Sequence, residues 1–375
     1  MSQIPAKPIP VLLASSLKPV KDVRAWEKLG RSLRETNKYS LNIIGFSGKI
    51  HEQENGVNFF SSQSSFQSKL KRIFSQLRFI RLLFQVKPKI LICCTYEYLP
   101  VAALFKNWLK YKLVYDVQEN YVANLDLNPL LTAKAKARAA RFIQKSESVK
   151  GIDLFLFAEK CYAIEMPERK PFLVLENKYS GPISLVKPMR FPLRTGYKFV
   201  ITGTITPAFG ILQAVLWFKS VLKSFPDSHL KIIGHLTLSE FGEELFQICL
   251  NVPKIELKVS DVPVPHDQII DAMLAADFAL LPYLNLPAIN EKFPTKLFEA
   301  AALRIPVLIT PNENWENFLK SFAGGFPINF SNTKEACLQL NRALENEYFT
   351  SQPGDSIHWN SQKAEFIYMI NSLVS

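Results

Sequence analysis

Two glutamates and a lysine lie close together where the residue pattern predicts the start of a helix. The segment LLPYLNLPAINEKFPTKLFEAAALRIPVLIT (280–310) begins as a strand, passes through a loop and enters a helix near Pro294. Glu291 lies in the loop and Glu299 in the first turns, with seven residues between them, and Lys296 stands between the two. Helix-start N–H groups bind anions, and carboxylates accept hydrogen bonds from ribose or sugar hydroxyls. The segment is therefore a candidate binding site for a diphosphate and a sugar, although a solvated helix start gives the same spacing.

A second candidate segment contains glycines at the end of predicted strands. VITGTITPAFGILQAVLWFKSVLKSFPDSHLKIIGH (200–235) reads as a strand, a loop, a helix and another strand. Gly203 and Thr204 leave room for the backbone to approach a phosphate, and Gly210 opens the helix. Gly234 and His235 end the second strand and are further candidates for ligand contact. Simple strand-end turns explain the glycines equally well.

The elements that position these residues follow an alternation of strands and helices. In the first half, apolar strand-like runs lie at 9–16, 41–46, 89–94, 112–116, 151–157 and 172–177, and helical patterns lie at 22–36, 65–86, 98–110 and 130–148. Continuous apolar strands that alternate with helices predict a parallel sheet covered on both faces. The first half is expected to be a Rossmann-like α/β domain.

The second half repeats the alternation after a proline-rich stretch at 178–196 that is typical of a linker. Its strand-like runs lie at 197–203, 229–234, 255–259, 277–283 and 305–310. The sequence therefore predicts three parts: a first α/β domain at 1–190, a second at 191–355, and a helix at 356–375 that returns to pack on the first domain. Ligands of such sheets bind at the carboxyl ends of the strands, which predicts a cleft between the two domains.

Charge is divided unevenly between the halves of this 375-residue chain. Residues 1–190 hold 31 Lys and Arg against 15 Asp and Glu, whereas residues 191–375 hold 14 against 18. A basic first half joined to a slightly acidic second half indicates that one domain faces an anionic surface, either a membrane or RNA. No nucleic-acid partner is expected, because the aromatic residues of the most basic helix fit a core-facing stripe better than a stacking groove.

That helix is the candidate for contact with a membrane. Segment 65–89 carries an apolar stripe that is expected to face the sheet, formed by Phe66, Leu70, Ile73, Leu77, Ile80 and Phe84. Its outer face, with basic residues and Phe79, is expected to touch the bilayer. No apolar run is long enough to span a membrane, and the start of the sequence lacks the features of a signal peptide. We expect a cytoplasmic protein, peripheral on the inner face of the membrane, with its five cysteines in the core.

The 280–310 segment resembles the signature of the retaining family-4 glycosyltransferases. The similarity is closest to a variant in which Pro-Thr-Lys-Leu-Phe-Glu (294–299) precedes small residues and an Ile-Pro-Val strand (305–307). The resemblance implies the GT-B fold, an α/β architecture with two Rossmann-like domains. It implies that Glu299 binds the donor ribose, that Glu291 lies near the transferred sugar and that Lys296 assists the phosphates. Pro294, Thr295 and Leu297 complete the donor-binding set, with Gly203, Thr204, Gly234 and His235.

The first half resembles the acceptor domain of the same family, with departures. Ser15 and Ser16 replace the family's glycine pair, with Lys18 nearby, and Asp22 is expected to cap the following helix. LVYDVQENY (113–121) is similar to a strand-end motif of Asp, any residue, His and Glu. Asp116 and Glu119 are retained and Gln118 takes the His position, so residue 118 cannot exchange a proton near pH 7. The family's Arg-Lys pair after the 197–203 strand is also absent from Ile205 to Phe209. Ser16, Lys18, Asp116, Gln118 and Glu119 are the acceptor-side candidates.

The resemblance implies transfer of a sugar from a nucleotide-sugar donor to a glycan or lipid-linked acceptor in cell-surface polysaccharide synthesis. The nucleotide-sugar is a substrate, and no cofactor is expected. No Asp-x-Asp motif is present, which predicts a metal-independent site. Two alternatives stay open: a non-catalytic GT-B protein that binds a nucleotide or glycan, favoured by the missing Arg-Lys pair and Gln118, and a sugar-nucleotide epimerase. The five histidines show no acid-base spacing that supports the epimerase.

Overall fold

The structure, a computed structural model, describes residues 8–47, 49–63, 69–185 and 187–375. It divides into two compact units, one of residues up to Ser180 together with Trp359–Ser375, the other of Gly181–His358. Each unit contains one sheet with helices on its two faces. Each is described by itself below.

The first unit is built on a sheet of eight strands within the described ranges, in the order β3-β4-β2-β1-β5-β6-β7-β8. The strands are β1 (Ile9–Pro19), β2 (Tyr39–Phe46), β3 (His51–Glu54), β4 (Val57–Gln63), β5 (Ile90–Cys93), β6 (Lys112–Val117), β7 (Leu154–Phe157) and β8 (Phe172–Val174). The helices are a π-helical segment (Val23–Gly30) continuing into α1 (Arg31–Arg34), then α2 (Lys69–Val86), α3 (Leu99–Leu109), α4 (Tyr121–Asn124), α5 (Ala133–Glu147) and α6 (Tyr162–Glu165), with short 3-10 turns at Tyr96–Tyr98 and Leu125–Leu127. All the strand pairs are parallel except β3 with β4.

The antiparallel edge of this sheet is a feature that the sequence prediction missed. Strands β3 and β4 form a hairpin with a two-residue loop, Asn55 and Gly56, both at positive φ (51° and 77°). Asn-Gly is the preferred pair for such a loop, because both of its central residues must adopt a left-handed backbone. The Asn-Gly pair was the available signal. It was overlooked because β3, with the sequence HEQE, carries no apolar pattern.

The helix that follows β1 begins where its cap predicts. Asp22 accepts hydrogen bonds from the N–H groups of Arg24 (3.0 Å) and Ala25 (2.8 Å), which confirms the predicted cap. Leu29 and Leu33 then lie in a core on one face of the sheet. The cap therefore fixes the start of the segment that carries Arg24 towards the strand ends.

Helix α2 buries a different face from the one that the sequence predicted. Among its described side chains, the buried ones are Ser75, Phe79, Leu82 and Leu83, and the Phe79 ring stacks on Tyr98 with centroids 4.2 Å apart. Leu77, placed in the core stripe by the prediction, is 56% exposed, and Phe79, placed on the membrane side, is fully buried. Phe66 and the side chains of Leu70 and Ile73 lie outside the described residues. The predicted helical spacing is right, but the predicted buried face is wrong. Apolar residues lie on both faces of α2, and periodicity alone does not choose between them.

The second unit contains a six-stranded parallel sheet within the described residues. Its strands are β9 (Lys198–Ile205), β10 (His229–Leu236), β11 (Ile255–Ser260), β12 (Phe278–Leu281), β13 (Val307–Ile309) and β14 (Gly325–Pro327). Its helices are α7 (Ile211–Val221), α8 (Ser239–Cys249), α9 (His266–Leu274), α10 (Pro287–Asn290), α11 (Thr295–Leu303), α12 (Glu313–Lys320) and α13 (Ala336–Leu344), with 3-10 turns at Pro207–Phe209, Thr333–Glu335 and Asp355–Ile357. The order β11-β10-β9-β12-β13-β14 is that of a doubly wound sheet, whose direction of winding reverses between β9 and β12.

The unit boundaries lie at 180/181 and 358/359, ten and three residues from the predicted 190/191 and 355/356. Residues 181–190 belong to the second unit because they pair with it: the Ser184 N–H donates to the Ala302 carbonyl (2.9 Å), and Met189 forms a β-bridge with Tyr348. The last helix, α14 (Asn360–Ser372), packs on the first unit, with Phe366 and Ile370 in the same core as Leu33. Proline content marked the linker but could not show which unit holds it.

The helices of the first unit lie on opposite faces of its sheet. One core contains residues of the π-helical segment, α1 and α14, among them Leu29 and Phe366. The other contains residues of α2, α3 and α5, among them Phe79, Ala102 and Ile143. None of the helices in the described ranges is both long and apolar enough to cross a bilayer.

Candidate functional site

The candidate site of the second unit is built around helix α11. The helix begins at Thr295, as predicted, but Pro294 occupies the N-cap position and has no side-chain acceptor. Its residues from Leu297 to Leu303 are all buried, including three consecutive alanines. The structure does not support the prediction that Leu297 binds the nucleotide-sugar. Its side chain is wholly buried and its N–H donates to the Pro294 carbonyl (2.9 Å), so neither is available to a ligand. The small residues let the helix approach the sheet closely.

Glu299 lies on this buried helix with both carboxylate oxygens engaged. Its side chain is 2% exposed. Oε2 accepts a hydrogen bond from Lys296 Nζ (2.8 Å), and Oε1 lies 2.9 Å from His266 Nε2. A buried carboxylate is stable only when such partners replace its hydration. Lys296 and His266 are 17% and 24% exposed, so the cluster opens to solvent through its cationic and imidazole members.

The charge state of Glu299 follows from these contacts. Burial by itself raises the pKa of a carboxyl group, but the charge of Lys296 and the hydrogen bond from His266 outweigh it and lower the pKa of Glu299 to about 2. Glu299 is therefore an anion at every physiological pH. An ionised carboxylate is an acceptor only, so the ligand groups that it can bind are donors such as hydroxyls.

Lys296 lies over the end of β9, where a glycine makes room for it. Gly203 adopts φ +101°, and a Cβ atom there would lie 3.0 Å from Lys296 Cε. Gly234 is the register partner of Gly203 on β10, and its Cβ would lie 1.8 Å from the Gly203 carbonyl oxygen. A side chain at either position would therefore come too close to its neighbour, and glycine avoids that contact. The structure brings Gly203, Lys296 and Glu299 together, three residues that the sequence predicted as members of one site.

His266 is a member of the site that the sequence prediction did not include. It is the first residue of α9 and lies 33 positions before Glu299 in the chain. A concave surface of about 270 Å³ adjoins it, lined by residues from the end of β11 to the first turn of α9: Lys258, Val259, Ser260, Val262, Pro263, Val264, Pro265 and Gln268. The sequence gives no signal for His266 beyond its residue type, because its partner Glu299 lies 33 positions away in the chain.

Aromatic residues line the loop that joins β12 to the site. The Tyr283 ring stacks on Phe209 with centroids 4.3 Å apart and meets Trp315 edge to face at 5.7 Å. Burial raises the pKa of Tyr283, and the negative charge of Glu299 raises it further. Gly210 opens α7, as predicted, and a Cβ there would lie 1.9 Å from the Pro282 carbonyl oxygen. These contacts hold the β9 and β12 loops against each other at the point where the sheet reverses.

The other predicted donor-side residues lie nearer the surface. Glu291 is exposed at the end of α10, where its carboxylate accepts a hydrogen bond from Asn314 Nδ2 (3.4 Å). Thr204 is exposed directly after Gly203. His235 ends β10, with Nε2 3.1 Å from the Asp261 carbonyl oxygen. None of these contacts reaches the Glu299 carboxylate itself.

Comparison with protein families assigns the unit that holds this site. Residues 191–357 match the family model described as glycosyl transferases group 1. The matched range covers β9 to α13 and therefore every residue of the Glu299 cluster. This range of the chain is therefore similar to the glycosyl transferases group 1 family. A search of curated proteins with the whole sequence found no match.

Solved structures give the fold of the whole chain as GT-B, as predicted. The chain is similar to sucrose-phosphate synthase from Thermosynechococcus elongatus, with a TM-score of 0.68 and 11% identity over 98% of this chain and 99% of that one. It is similar to Anabaena HepE in complex with UDP and glucose, with a TM-score of 0.62 and 12% identity over 96% and 99%. An α,α-trehalose-phosphate synthase (UDP-forming) from Burkholderia vietnamiensis gives 0.61 and 10% over 97% and 99%. At such identities the similarity defines the architecture alone.

The first unit holds another charged cluster, centred on Asp116 at the end of β6. Arg24 Nε lies 3.0 Å from both Asp116 oxygens, and Arg24 NH2 lies 2.7 Å from Oδ1. Arg24 also donates to the Leu175 carbonyl (2.7 Å), and Gln118 Nε2 donates to Asp116 (2.8 Å). The side chains of Arg24 and Asp116 are 3% and 0% exposed. The structure does not support the prediction of Asp116 as an acceptor-side residue, because Arg24 shields its carboxylate from solvent.

The remaining acceptor-side candidates differ in access. Ser16 is 2% exposed, and its hydroxyl lies 2.9 Å from the Thr95 hydroxyl, so it joins the ends of β1 and β5 and does not face a ligand. Lys18 pairs with Glu119 at 3.2 Å, with side chains 31% and 40% exposed. The charge of Glu119 raises the pKa of Lys18 against the opposing effect of burial. Lys18, Glu119 and the half-buried Gln118 are the candidates that a ligand can reach.

Metal ligands were also sought among the side chains. In the part of the chain that the structure describes, no three or more His, Cys, Asp and Glu side chains come together in a way that could hold a metal ion. Four of the five cysteines are buried. Burial raises the pKa of the Cys93 and Cys94 thiols, which keeps them protonated. They act as small core side chains.

Proposed function

We propose that this protein transfers a sugar from a nucleoside-diphosphate donor to an acceptor hydroxyl, with the donor bound at the Glu299 cluster. Glu299 accepts hydrogen bonds from the ribose hydroxyls of the donor. Lys296 lies against the diphosphate and stabilises the negative charge that develops on it as the bond to the sugar breaks. The backbone after Gly203, free of side-chain hindrance, approaches the same phosphates. His266 holds Glu299 in place.

One observation carries this proposal: an ionised, buried carboxylate and a partly exposed lysine meet at the end of β9, beside the point where the doubly wound sheet reverses. Ligands of such sheets bind at this point. The two side chains match the two chemical parts of a nucleoside diphosphate, because a carboxylate binds hydroxyls and an ammonium group binds phosphate. Gly203, which has no side chain, leaves space for Lys296 at the same point.

Three finer features belong to the proposal. Glu291, exposed and eight positions before Glu299, contacts the transferred sugar once the donor is bound. The reaction proceeds with retention, as in the family that the 294–299 run resembles. It needs no metal, because Lys296 supplies positive charge beside the diphosphate and the sequence lacks an Asp-x-Asp motif. Activity unchanged by EDTA and a product with the anomeric configuration of the donor, measured by NMR, are the expected results.

The acceptor is a glycan or lipid-linked glycan of a cell-surface polysaccharide, used at the inner face of the cytoplasmic membrane. The excess of 31 basic over 15 acidic residues in 1–190 favours work beside an anionic surface. Lys18, Gln118 and Glu119 supply donors and acceptors suited to sugar hydroxyls. Glu119 does not act as a free base, since it is paired with Lys18.

The experiment that tests the donor site is a thermal-shift screen of the purified protein against UDP, GDP, dTDP, ADP, CMP and their sugar conjugates. A ligand at 100 times its Kd stabilises the folded protein by about 2.7 kcal/mol, which a melting curve resolves. We expect a shift with one nucleotide that is lost in Glu299→Gln. Glu244→Gln, an exposed glutamate of the same unit, is the matched control and keeps the shift.

The outcomes separate the three candidate functions. A donor that shifts the melting curve and is then hydrolysed or transferred supports a transferase. A nucleotide-sugar that returns as its epimer, without release of nucleotide, supports an epimerase. A nucleotide that binds but is never turned over supports a non-catalytic binding protein. No shift with any nucleotide would contradict the assignment of the Glu299 cluster.

A further inference from the structure

One face of the first unit carries a concentration of positive charge. Helices α2, α3 and α5 pack on the same face of the sheet, since Phe79, Ala102 and Ile143 share one core. Together they contain eleven Lys and Arg residues, five in α2, one in α3 and five in α5, against a single acidic residue, Glu147. That glutamate pairs with Arg169. The face is therefore strongly and uniformly basic.

The opposite face of the same sheet has no such excess. The π-helical segment with α1 (23–34) and α14 contain five basic and two acidic residues. Arg24 and Lys28, two of the five basic residues, are buried. The asymmetry thus belongs to one side of one unit. General basicity of the protein does not account for it.

The basic face also exposes apolar side chains that a water-facing surface would not need. Helix α3 connects β5 to β6 and therefore lies between α2 and α5, which cover the connections on either side of it. On this central helix Leu104 and Trp108, one turn apart, are 73% and 70% exposed. The Trp108 ring rests on Phe84 of α2 with centroids 5.1 Å apart. On α5, Phe142 is 56% exposed.

The basic residues flank this apolar centre. Six of them are exposed: Arg78, Arg81, Lys134, Arg138, Arg141 and Lys145. Two others, Lys106 and Lys136, are paired with Asp153 and Asp126. A leucine and a tryptophan in the middle of a ring of Lys and Arg match a bilayer of anionic phospholipid, whose headgroups attract the charges and whose acyl region accepts the apolar side chains. A nucleic acid would offer Leu104 nothing to contact.

We propose that the outer surface of α2, α3 and α5 docks the protein on an anionic phospholipid bilayer, with Leu104 and Trp108 inserted and the arginines and lysines of α2 and α5 on the headgroups. This surface differs from the one predicted from the sequence, since Phe79 is in the core and α3 and α5 contribute most of the contact. The inference specifies the membrane location proposed above. Vesicle binding requires no donor, so it fails or succeeds independently of the Glu299 site.

The test is flotation of the full chain with vesicles of phosphatidylcholine alone or with a third of phosphatidylglycerol. We expect binding only to the anionic vesicles and release in 0.5 M NaCl, because salt shortens the range of the attraction. Arg138→Glu with Arg141→Glu is expected to lower the partition coefficient by roughly 30-fold or more, from about fivefold for each basic residue near the surface. Arg31→Glu with Arg34→Glu makes the same charge change at the same spacing on the opposite face and should leave binding unchanged.

Insertion of the central helix is tested by fluorescence. The Trp108 emission should shift to the blue when anionic vesicles are added, and Trp108→Phe should lose that shift while it keeps vesicle binding. Leu104→Ser with Trp108→Ser should weaken binding, with a melting temperature close to that of the parent as evidence of folding. Equal loss in the two arginine pairs, or binding that ignores phosphatidylglycerol, would overturn the proposal. So would selective binding of RNA with none to vesicles.

Discussion

The two units place a cation beside a carboxylate at the carboxyl ends of their strands, yet only one of the two pairs is accessible. Arg24 and Asp116 are 3% and 0% exposed and take their other hydrogen bonds from within the unit. Glu299 is equally buried, but Lys296 and His266 are 17% and 24% exposed. A ligand therefore has no route to Arg24 or Asp116. At the Glu299 cluster, a ligand can reach Lys296 and approach the carboxylate beside it.

We infer from this comparison that exposure of the cation distinguishes the proposed binding site from a structural ion pair. Residue types do not, because each cluster contains a buried acid beside a cation, and the sequence predicts each acid as a ligand contact. Arginine, with five donors in a fixed plane, satisfies a buried carboxylate and neighbouring carbonyls at once. Lysine ends in a compact ammonium group that keeps donors available for a phosphate.

The largest effect is expected when the buried Arg24–Asp116 pair is broken. Asp116→Ala leaves the Arg24 guanidinium buried without its partner and should lower the free energy of unfolding by about 3–5 kcal/mol in urea titrations. Arg24→Met with Asp116→Leu, which removes both charges, should be less destabilising than the single change. Asp126→Ala, at an exposed pair with Lys136, is the control and should fall within about 0.5 kcal/mol of the parent. Equal effects at Asp116 and Asp126 would contradict the sealed pair.

The next effect is the acid sensitivity of the second unit. The pKa of Glu299 is about 2 in the folded protein and near the ordinary value of about 4.3 when unfolded, so the unfolded chain binds more protons between these values. The stabilisation is fully present above pH 4.3 and is lost as the pH falls towards 2, by roughly 3 kcal/mol in total. Unfolding measured from pH 6 to 3 should depend less on pH in Glu299→Gln than in the parent. Glu244→Gln should follow the parent, and parallel curves for all three would refute the paired carboxylate.

A smaller effect tests whether His266 positions Glu299. His266→Ala removes one hydrogen bond to a charged group and should weaken nucleotide binding by about 1.5–3 kcal/mol, seen as a higher KM for the donor at nearly constant kcat. His266→Gln, which keeps a nitrogen donor at a similar reach, should recover part of the loss. A fall in kcat with unchanged KM would instead place His266 in the chemical step.

The smallest effect is expected at Gln118, which joins the sealed cluster to the surface. Gln118→Ala removes one hydrogen bond to Asp116 and should cost about 1 kcal/mol of stability, since Arg24 still satisfies the carboxylate. Donor binding in the second unit should not change. A loss of acceptor use well beyond the loss of stability would assign Gln118 a direct contact with the acceptor.

Much of the fold could be predicted because its signals are local. Apolar runs marked the strands, Asp22 marked a helix start, and the glycines at 203 and 210 marked two loops. The buried face of α2 could not be predicted, because Leu77 and Phe79 are both apolar and only packing on the sheet decides which of them is buried. The β3–β4 hairpin was missed although its Asn-Gly pair was present, because the strand before it carries four polar residues.

By itself the sequence determined the succession of elements, the two α/β units and the position of Glu299 and Lys296 at one helix start, because periodicity, capping and turn chemistry act over a few residues. Only the tertiary structure decided which polar groups meet and which stay open to solvent. His266 and Glu299 are 33 positions apart, and Arg24 and Asp116 are 92 apart. Contacts between such distant residues depend on strand order and register. The same tertiary contacts bury Ser16 and Asp116 and leave Lys296 exposed to a ligand.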